Sequence, residues 1–269
     1  MQPTTWLFDL DGVLWLGDLP VDGAAAALDR LRAAGHRVGF CTNNSYQPIG
    51  AYLAKLAGHG VAASAGEVLT SAVAVSALVT PGESVLVCAG PGVVEAVQSV
   101  GCRLVEHGTA DVVVVGFHRD FDYDAMAAAT TAVLGGARLI ATNDDPIYPA
   151  ADGPLPGCGA ILASIERATG QRAVVAGKPN PPMVDLVRRR FGDGVLPARP
   201  GAGPARPDSG VPGVFVGDTL RTDGDLAVAL GWQFGLVLTG NTTAASVPHD
   251  LPAEWVAPDV ATLIDRHLA

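Results

Sequence analysis

Short apolar runs of strand length alternate with segments of helical periodicity along most of the chain. Thr5–Phe8 and Val38–Cys41 are two such runs, and Ala24–Ala34 between them has the composition and length of a helix. Asp22 is suited to open this helix, and Gly35 is suited to close it. Strands separated by helices are typical of a parallel sheet. The pattern therefore predicts an α/β fold.

The alternation continues through the rest of the chain. A capping box at Ser64–Glu67 predicts a helix that reaches Leu78. The remaining predicted elements are strands at Val85–Cys88, Asp111–Val115, Arg138–Ala141, Ala173–Ala176, Val214–Val216 and Gly235–Leu238, and helices at Ile49–Leu56, Val93–Val100, Tyr123–Leu134, Ala160–Ala168, Pro182–Arg190, Leu226–Leu230 and Val260–His267.

Pro81–Gly82 interrupts the alternation of strands and helices, and a new set of predicted strands and helices begins after it. Residues 80–172 contain enough elements for a domain of their own. The following residues, 173–269, complete the alternation that 1–79 began. We therefore expect a core domain of 1–79 and 173–269 with 80–172 inserted into it. Leu196–Gly213 is rich in proline, lacks periodicity and is predicted to be a surface loop.

Polar side chains directly follow four of the predicted strands. They are Asp9 and Asp11, then Thr42, Asn43 and Asn44, then Lys178, and finally Asp218 with Asp223. Any one of these segments could be an ordinary turn or a helix cap. In a parallel sheet, however, the carboxyl ends of the strands lie along one edge, where ligands bind. We therefore expect the four segments to meet in one site.

The net charge of the chain indicates which classes of partner are disfavoured. The chain has 17 basic and 27 acidic residues, a net charge of −10, which disfavours non-specific binding to nucleic acid or to an anionic membrane. Only Lys55 and Lys178 are lysines among the 17 basic residues. Lys55 is predicted to lie on a solvated helix face. Lys178 lies in a predicted loop, where a compact ammonium is suited to a phosphate group.

Four aspartates in one crevice would repel one another unless a cation joined them. Lys178 supplies one positive charge, and a divalent cation would supply two more. Carboxylate oxygens together with a substrate phosphate are the ligands of Mg²⁺ rather than of zinc. The sequence therefore predicts a Mg²⁺ site that receives an anionic substrate.

Cysteine usage and the amino terminus bear on the cellular compartment. Four cysteines include no Cys-x-x-Cys pair, so we expect reduced, buried thiols and no zinc site. No apolar run approaches the ~20 residues of a membrane span, and the first residues lack the basic region of a signal peptide. We expect a cytoplasmic protein with no membrane partner.

The polar segments resemble a known family in their order and spacing. Phe8–Trp15, Cys41–Ser45, Gly177–Pro181 and Val216–Asp223 are similar to the four sequence motifs of the haloacid dehalogenase superfamily, and more narrowly to its NagD-like and p-nitrophenylphosphatase-like members. Ile140–Asp145, Asp152–Gly153 and Pro156–Ala160 resemble the cap that this subgroup inserts. The resemblance implies a doubly wound, Rossmann-like parallel sheet core with an inserted, smaller α/β cap domain.

The resemblance also implies a mechanism on the acidic residues. Asp9 would attack phosphorus and form an aspartyl-phosphate, and Asp11 would protonate the leaving group and then activate water. Mg²⁺ would be held by Asp9, the backbone carbonyl of Asp11 and Asp218, with Asp223 supporting them from behind. Asp11 favours a phosphatase over a dehalogenase, because an alkoxide needs a proton to leave and a halide does not.

The other site residues would bind substrate. Thr42 and Asn43, joined by Asn44, would hold phosphoryl oxygens, and Lys178 would neutralise charge in the transition state. Tyr148 is the candidate for touching the leaving group, together with Asn143 or Asp144 in the same cap loop. The alternative is that Tyr148 only packs between the prolines that flank it.

The implied substrate is a small phosphorylated metabolite, and the subgroup suggests glycerol phosphate, phosphoglycolate, sugar phosphates, nucleoside monophosphates or pyridoxal phosphate. A homodimer is a further expectation from the subgroup. Two other functions remain open from sequence. A phosphotransferase or mutase would use the same intermediate with another acceptor, and a non-catalytic module would bind a phosphorylated metabolite without turning it over.

Overall fold

The computed structural model describes residues 4–148, 153, 155–192 and 213–269. The predicted loop Leu196–Gly213 lies outside the described residues except for Gly213, and Asp152 of the cap resemblance also lies outside them. Among the described helices, none is long and apolar enough to cross a bilayer.

The strands and helices appear in the alternation that the sequence predicts. The strands are β1 (Thr5–Phe8), β2 (Trp15–Leu16), β3 (Leu19–Pro20), β4 (Arg37–Thr42), β5 (Val68–Thr70), β6 (Ser84–Cys88), β7 (Arg103–Val105), β8 (Val112–Val115), β9 (Arg138–Ala141), β10 (Ile147–Tyr148), β11 (Leu155–Pro156), β12 (Val174–Val175), β13 (Gly213–Gly217), β14 (Gln233–Val237) and β15 (Val256–Ala257). The helices are α1 (Ala24–Ala33), α2 (Ile49–Gly58), α3 (Ser71–Val75), α4 (Pro91–Val100), α5 (Tyr123–Leu134), α6 (Cys158–Thr169), α7 (Pro181–Phe191), α8 (Asp225–Leu230) and α9 (Val260–Leu268).

The described residues form two compact units, each with a sheet of its own. The first unit comprises Met1–Thr42, Leu53–Leu69 and Val184–Ala269, and the second comprises Asn43–Tyr52 and Thr70–Met183. An α/β fold is therefore confirmed. The division into a core of 1–79 and 173–269 with a cap of 80–172 stays a prediction.

The larger sheet has the strand order β15-β14-β13-β1-β4-β5 among the described residues. β1 is buried along its whole length and pairs in parallel with β13 on one side and β4 on the other. The chain builds outward from β1 first through β4 and β5, and later through β13, β14 and β15. The connection therefore reverses direction between β1 and β13, and in such sheets ligands bind outside the carboxyl ends of the strands at that point.

The smaller sheet has the order β12-β9-β8-β6-β7 and is also parallel. Its core is a cluster of small apolar side chains that includes Val113, Val115, Ala129 and Ile165. The strand before Lys178 belongs here, because β12 pairs with β9. The expectation that this strand joins the core sheet is therefore wrong.

The helix predicted from Ser64–Glu67 to Leu78 is also interrupted. The capping box is present, with Ser64 N donating to Glu67 Oε2 at 2.7 Å, but the helix that it begins is a short 3-10 helix, Ala65–Glu67. Val68–Thr70 then forms a strand because all three side chains are buried beside β4. Thr70 ends that strand and caps α3 by accepting a hydrogen bond from Val73 N at 3.2 Å.

The amino end of α1 differs from prediction as well. Gly23, with a φ of 75°, is its N-cap, and no side chain caps the helix. The apolar face of α1, formed by Ala24, Ala27, Leu28 and Leu31, is nevertheless buried as the periodicity predicts.

The four cysteines are buried, as expected. Burial raises the pKa of Cys88 to about 12 and that of Cys158 to about 11. Both side chains are therefore neutral thiols at neutral pH. Because the thiolate is the reactive form, neither is suited to act as a nucleophile.

Candidate active site

Three aspartates of the first unit converge at the point where the sheet reverses. Asp9 follows β1 directly, Asp218 follows β13 directly, and Asp223 lies five residues further on. A carboxylate oxygen from each lies within 4.8 Å of the other two. Asp218 and Asp223 are buried, and Asp9 is partly exposed. We call these three residues the acidic cluster.

Backbone contacts orient Asp9 at the centre of this edge. Its N–H donates to the carbonyl of Val216 at 2.8 Å, which continues the pairing of β1 with β13 beyond the end of β1. Leu10 N donates to Asp9 Oδ1 at 2.7 Å. The sheet register therefore determines where this carboxylate lies.

Asp218 is held by a loop that passes close to its carboxylate. Asn241 N donates to Oδ2 at 2.6 Å, and Thr219 Oγ1 donates to Oδ1 at 3.1 Å. A Cβ on Gly12 would lie 2.6 Å from the same Oδ2, and Gly12 has a φ of 82°. Glycine is required at this position for both reasons, because a side chain would collide with Asp218 and strain the backbone.

Asp223 holds the loop that carries Asp218. It lies in a short π-helix, Leu220–Gly224, and is completely buried. Its Oδ2 accepts hydrogen bonds from Asp218 N and Thr219 N, both at 3.1 Å. Asp223 therefore orients Asp218 through the backbone.

We predict that Asp223→Ala destabilises the protein, because it leaves the buried N–H of Asp218 and the partly buried N–H of Thr219 without their acceptor. The expected loss in free energy of unfolding is about 2–4 kcal/mol. Asp223→Asn is the matched control, since an amide oxygen can still accept both hydrogen bonds and should preserve most of that stability. Urea denaturation measures the free energy of unfolding of both variants. Equal values would contradict the conclusion that Asp223 holds the loop through these hydrogen bonds.

The side chain of Asp11 points to a different partner. Its Oδ1 accepts a hydrogen bond from the indole Nε1 of Trp15 at 2.8 Å. Its carboxylate is not one of the three oxygens grouped in the acidic cluster. The role of the Asp11 backbone carbonyl as a metal ligand, which the resemblance implies, stays a prediction.

The donors of the acidic cluster suit a hard divalent cation. All three ligand atoms are carboxylate oxygens, which Mg²⁺ and Ca²⁺ prefer, and the cluster contains no nitrogen or sulfur donor of the kind that zinc selects. A carboxylate has about four lone-pair sites, so the backbone hydrogen bonds described above do not exhaust the acceptors. The residues present thus fit a bound Mg²⁺.

A second polar cluster lies in the second unit around Asn43. Its Oδ1 accepts a hydrogen bond from Lys178 N at 2.7 Å, and its Nδ2 donates to Lys178 O at 3.2 Å and to Asp145 Oδ2 at 3.0 Å. Asn143 Nδ2 donates to the carbonyl of Asn43 at 2.8 Å. The side-chain amide of Asn43 therefore positions the backbone of Lys178.

Lys178 itself is 1% exposed, although the sequence indicated only a loop position. Desolvation of an ammonium is unfavourable unless anionic or hydrogen-bonding groups surround it. Gly177 allows this close packing, because a Cβ there would lie 2.5 Å from Asn43 Oδ1. A lysine buried in this way is suited to bind an anionic group of a substrate.

Thr42 and Asn44 flank Asn43 on the chain. Thr42 is the last residue of β4 and is 2% exposed. Asn44 Oδ1 accepts a hydrogen bond from Tyr46 N at 3.1 Å, and the carbonyl of Asn44 accepts one from Tyr52 Oη at 2.9 Å. Asn44 therefore shapes the turn before α2, and its contact with phosphate stays a prediction.

Tyr148 has an aromatic partner that the sequence pattern did not identify. Its ring stacks on Phe117, with centroids 4.6 Å apart, and Phe117 meets the ring of Tyr46 at 5.7 Å. Phe117 follows β8 almost directly, so its position after a strand was the available signal. The stack supplies a packing role for Tyr148, while its contact with substrate stays a prediction.

Comparison with known families supports a hydrolase. Two family models match, described as haloacid dehalogenase-like hydrolase over residues 6–103 and as HAD-like hydrolase over residues 175–263. An acid sugar phosphatase of Staphylococcus saprophyticus is 36% identical over 179 residues, which cover 65% of this chain and 69% of that protein. The chain belongs to the haloacid dehalogenase-like hydrolases.

Solved structures of related phosphatases have a similar fold. A p-nitrophenyl phosphatase of Archaeoglobus fulgidus has a TM-score of 0.83 and 27% identity, covering 98% of this chain and 99% of that one. A glycerol phosphate phosphatase of Mycobacterium tuberculosis, solved in complex with magnesium, has a TM-score of 0.82 and 31% identity, covering 97% and 76%. The predictions of the family, its fold and a phosphatase are confirmed.

Proposed function

We propose that this hydrolase cleaves small phosphomonoesters with Mg²⁺ and passes through an aspartyl-phosphate at Asp9. The observation that carries the proposal is the acidic cluster, which brings Asp9 and Asp218 together at the reversal point of the sheet. The magnesium bound to the related glycerol phosphate phosphatase supports the choice of metal. The names of the related phosphatases support the choice of reaction.

The proposed reaction has two steps that share Asp9 and Asp11. An oxygen of Asp9 attacks phosphorus, the ester P–O bond breaks, and Asp11 gives its proton to the departing alkoxide to form the alcohol. Asp11 then takes a proton from water, whose oxygen attacks phosphorus and breaks the bond to Asp9. Inorganic phosphate leaves, and both aspartates return to their starting state.

The remaining charges support these two steps. Mg²⁺ held by Asp9, the backbone carbonyl of Asp11 and Asp218 would lower the repulsion between the anionic nucleophile and the anionic phosphate. The ammonium group of Lys178 would contact the phosphoryl oxygens and neutralise their negative charge in the transition state. Thr42, Asn43 and Asn44 would donate hydrogen bonds to the same oxygens.

Substrate choice would depend on the second unit. Residues 80–172 are the proposed cap, and Tyr148 is the proposed contact with the leaving group. Its stacking on Phe117 is compatible with this role, because the paired rings form a flat apolar surface on which part of a leaving group can pack. The substrate class is a small phosphorylated metabolite, as the relatives named for sugar and glycerol phosphates suggest.

A metal-dependence assay tests the proposal. We expect the purified protein to release p-nitrophenol from p-nitrophenyl phosphate with Mg²⁺, to lose at least about 90% of this activity in EDTA, and to recover it when Mg²⁺ is added back. A panel of phosphorylated metabolites then ranks the substrates by kcat/KM. Full activity in EDTA, or no activity on any phosphomonoester, would refute the proposed function.

A further inference from the structure

Trp15 donates a hydrogen bond to Asp11, and the proposed reaction assigns no role to Trp15. The two residues are four positions apart, in the turn that leads into the hairpin β2–β3. Gly12 N donates to the carbonyl of Trp15 at 2.8 Å, which closes this turn. The backbone of the turn therefore directs the indole N–H onto Asp11 Oδ1.

Trp15 is itself held on several sides. Its side chain is 1% exposed, although Leu16 next to it is 50% exposed. The Nζ of Lys55 lies 4.5 Å from the centroid of the Trp15 ring and donates to the carbonyl of Gly17 at 2.7 Å. Lys55 is therefore not simply on a solvated helix face, as the sequence suggested, but covers the indole.

A cation over the face of an indole is attracted to its π electrons, and the pairing fixes the ring in one orientation. His59 packs against the same ring, with centroids 5.7 Å apart. A ring confined in this way can keep its N–H aimed at one acceptor.

We infer that Trp15 is a positioning residue for the proton-transfer step, held in place by Lys55. This inference rests on the proposed function. The indole N–H occupies Oδ1 of Asp11, so the two carboxyl oxygens are no longer equivalent. Oδ2 is then the oxygen that carries the proton to the leaving group and later takes it from water. Trp15 keeps Asp11 in the rotamer that presents Oδ2.

The inference is tested with two esters that share a ring and differ in the need for a proton. p-Nitrophenolate leaves readily without protonation, whereas phenolate depends more on the acid. We expect Trp15→Phe, which keeps an aromatic ring and removes the N–H, to lower kcat/KM for phenyl phosphate by about tenfold. For p-nitrophenyl phosphate we expect a fall of less than about twofold.

Trp6→Phe is the matched control. Trp6 is a buried tryptophan of the same unit, and its Nε1 has no hydrogen-bond partner among the residues that the structure describes. The same loss of volume there should leave the ratio of the two kcat/KM values unchanged. Lys55→Met should shift the ratio in the same direction as Trp15→Phe by a smaller factor.

A measurement independent of turnover uses the indole resonances. The chain has four tryptophans, so a ¹⁵N–¹H spectrum has four indole signals, and Trp15→Phe identifies one of them. We expect Asp11→Ala to move the Trp15 signal upfield in ¹H and to leave the Trp6 signal in place. This readout requires folded variants but no turnover.

Either of two results would overturn the inference: an unchanged ratio of the kcat/KM values for the two esters in Trp15→Phe, or a Trp15 indole signal that does not shift in Asp11→Ala. Such a result would leave the proposed function intact, because the wild-type protein would still hydrolyse both esters. If the wild-type protein hydrolyses neither ester, the proposed function itself fails.

Discussion

Asp9→Asn is expected to lower kcat for p-nitrophenyl phosphate by at least about a thousandfold. An amide has the shape of the carboxylate but is a far weaker nucleophile, so the aspartyl-phosphate cannot form at a useful rate. The hydrogen bond from Leu10 N can be retained by the amide oxygen. We therefore expect a folded, inactive protein, as circular dichroism and thermal unfolding would show.

Asp265→Asn serves as the control for this substitution. Asp265 is an exposed residue of the same unit, paired with Arg30 at 2.5 Å, and lies outside the acidic cluster. Its replacement should leave turnover unchanged, because exposed ion pairs contribute little to stability. Undiminished turnover in Asp9→Asn would refute the assignment of the nucleophile.

Gly240→Ala is expected to produce the second large effect through a single added methyl group. A Cβ at Gly240 would overlap Asp218 Oδ2, the oxygen that also accepts the hydrogen bond from Asn241 N. Asp218 must then move out of the acidic cluster. We expect the Mg²⁺ concentration at half-maximal activity to rise by about 10–100-fold, because supporting contacts tune metal affinity by such factors.

Gly50→Ala is the matched control for the added methyl group. Gly50 lies in α2, and a Cβ there would meet nothing within 4 Å. Its Mg²⁺ titration should match that of the wild-type protein. If Gly240→Ala also gave the wild-type titration curve, Asp218 could not be a metal ligand in the position that the structure shows.

The long elements of the fold were predictable because their signals are local. β1, β9, α5 and α9 occur within one or two residues of their predicted bounds. Each is either a continuous apolar run or a segment with helical periodicity and a capping residue, such as Asp259 before α9. Such features act within a few residues and survive without tertiary contacts.

The short strands were not predictable, and their length gives the reason. β2, β3, β10, β11 and β15 have two residues each, and β7 has three. A segment of that length has no measurable alternation. It becomes a strand only when a neighbouring strand supplies hydrogen bonds, and the identity of that neighbour is a long-range property.

The sheet that a buried strand joins was likewise undetermined. From sequence, Val174–Val175 could pair in the larger sheet or in the smaller one, because the residues of a short apolar strand do not specify which strand it pairs with. The helix predicted through Val68–Thr70 failed for a related reason. Burial beside β4 outweighed the local signal of the capping box.

The amino-acid sequence by itself determined the chemistry of the candidate site. Carboxylates placed directly after neighbouring parallel strands lie at one edge of a sheet, so the order of the residues was enough to predict that Asp9 and Asp218 come together there, as they do. The tertiary structure alone decided how those groups are held. Trp15 on Asp11, Asn43 on Lys178 and Phe117 on Tyr148 are contacts whose geometry depends on side-chain packing, and no pattern of residue types specifies that geometry.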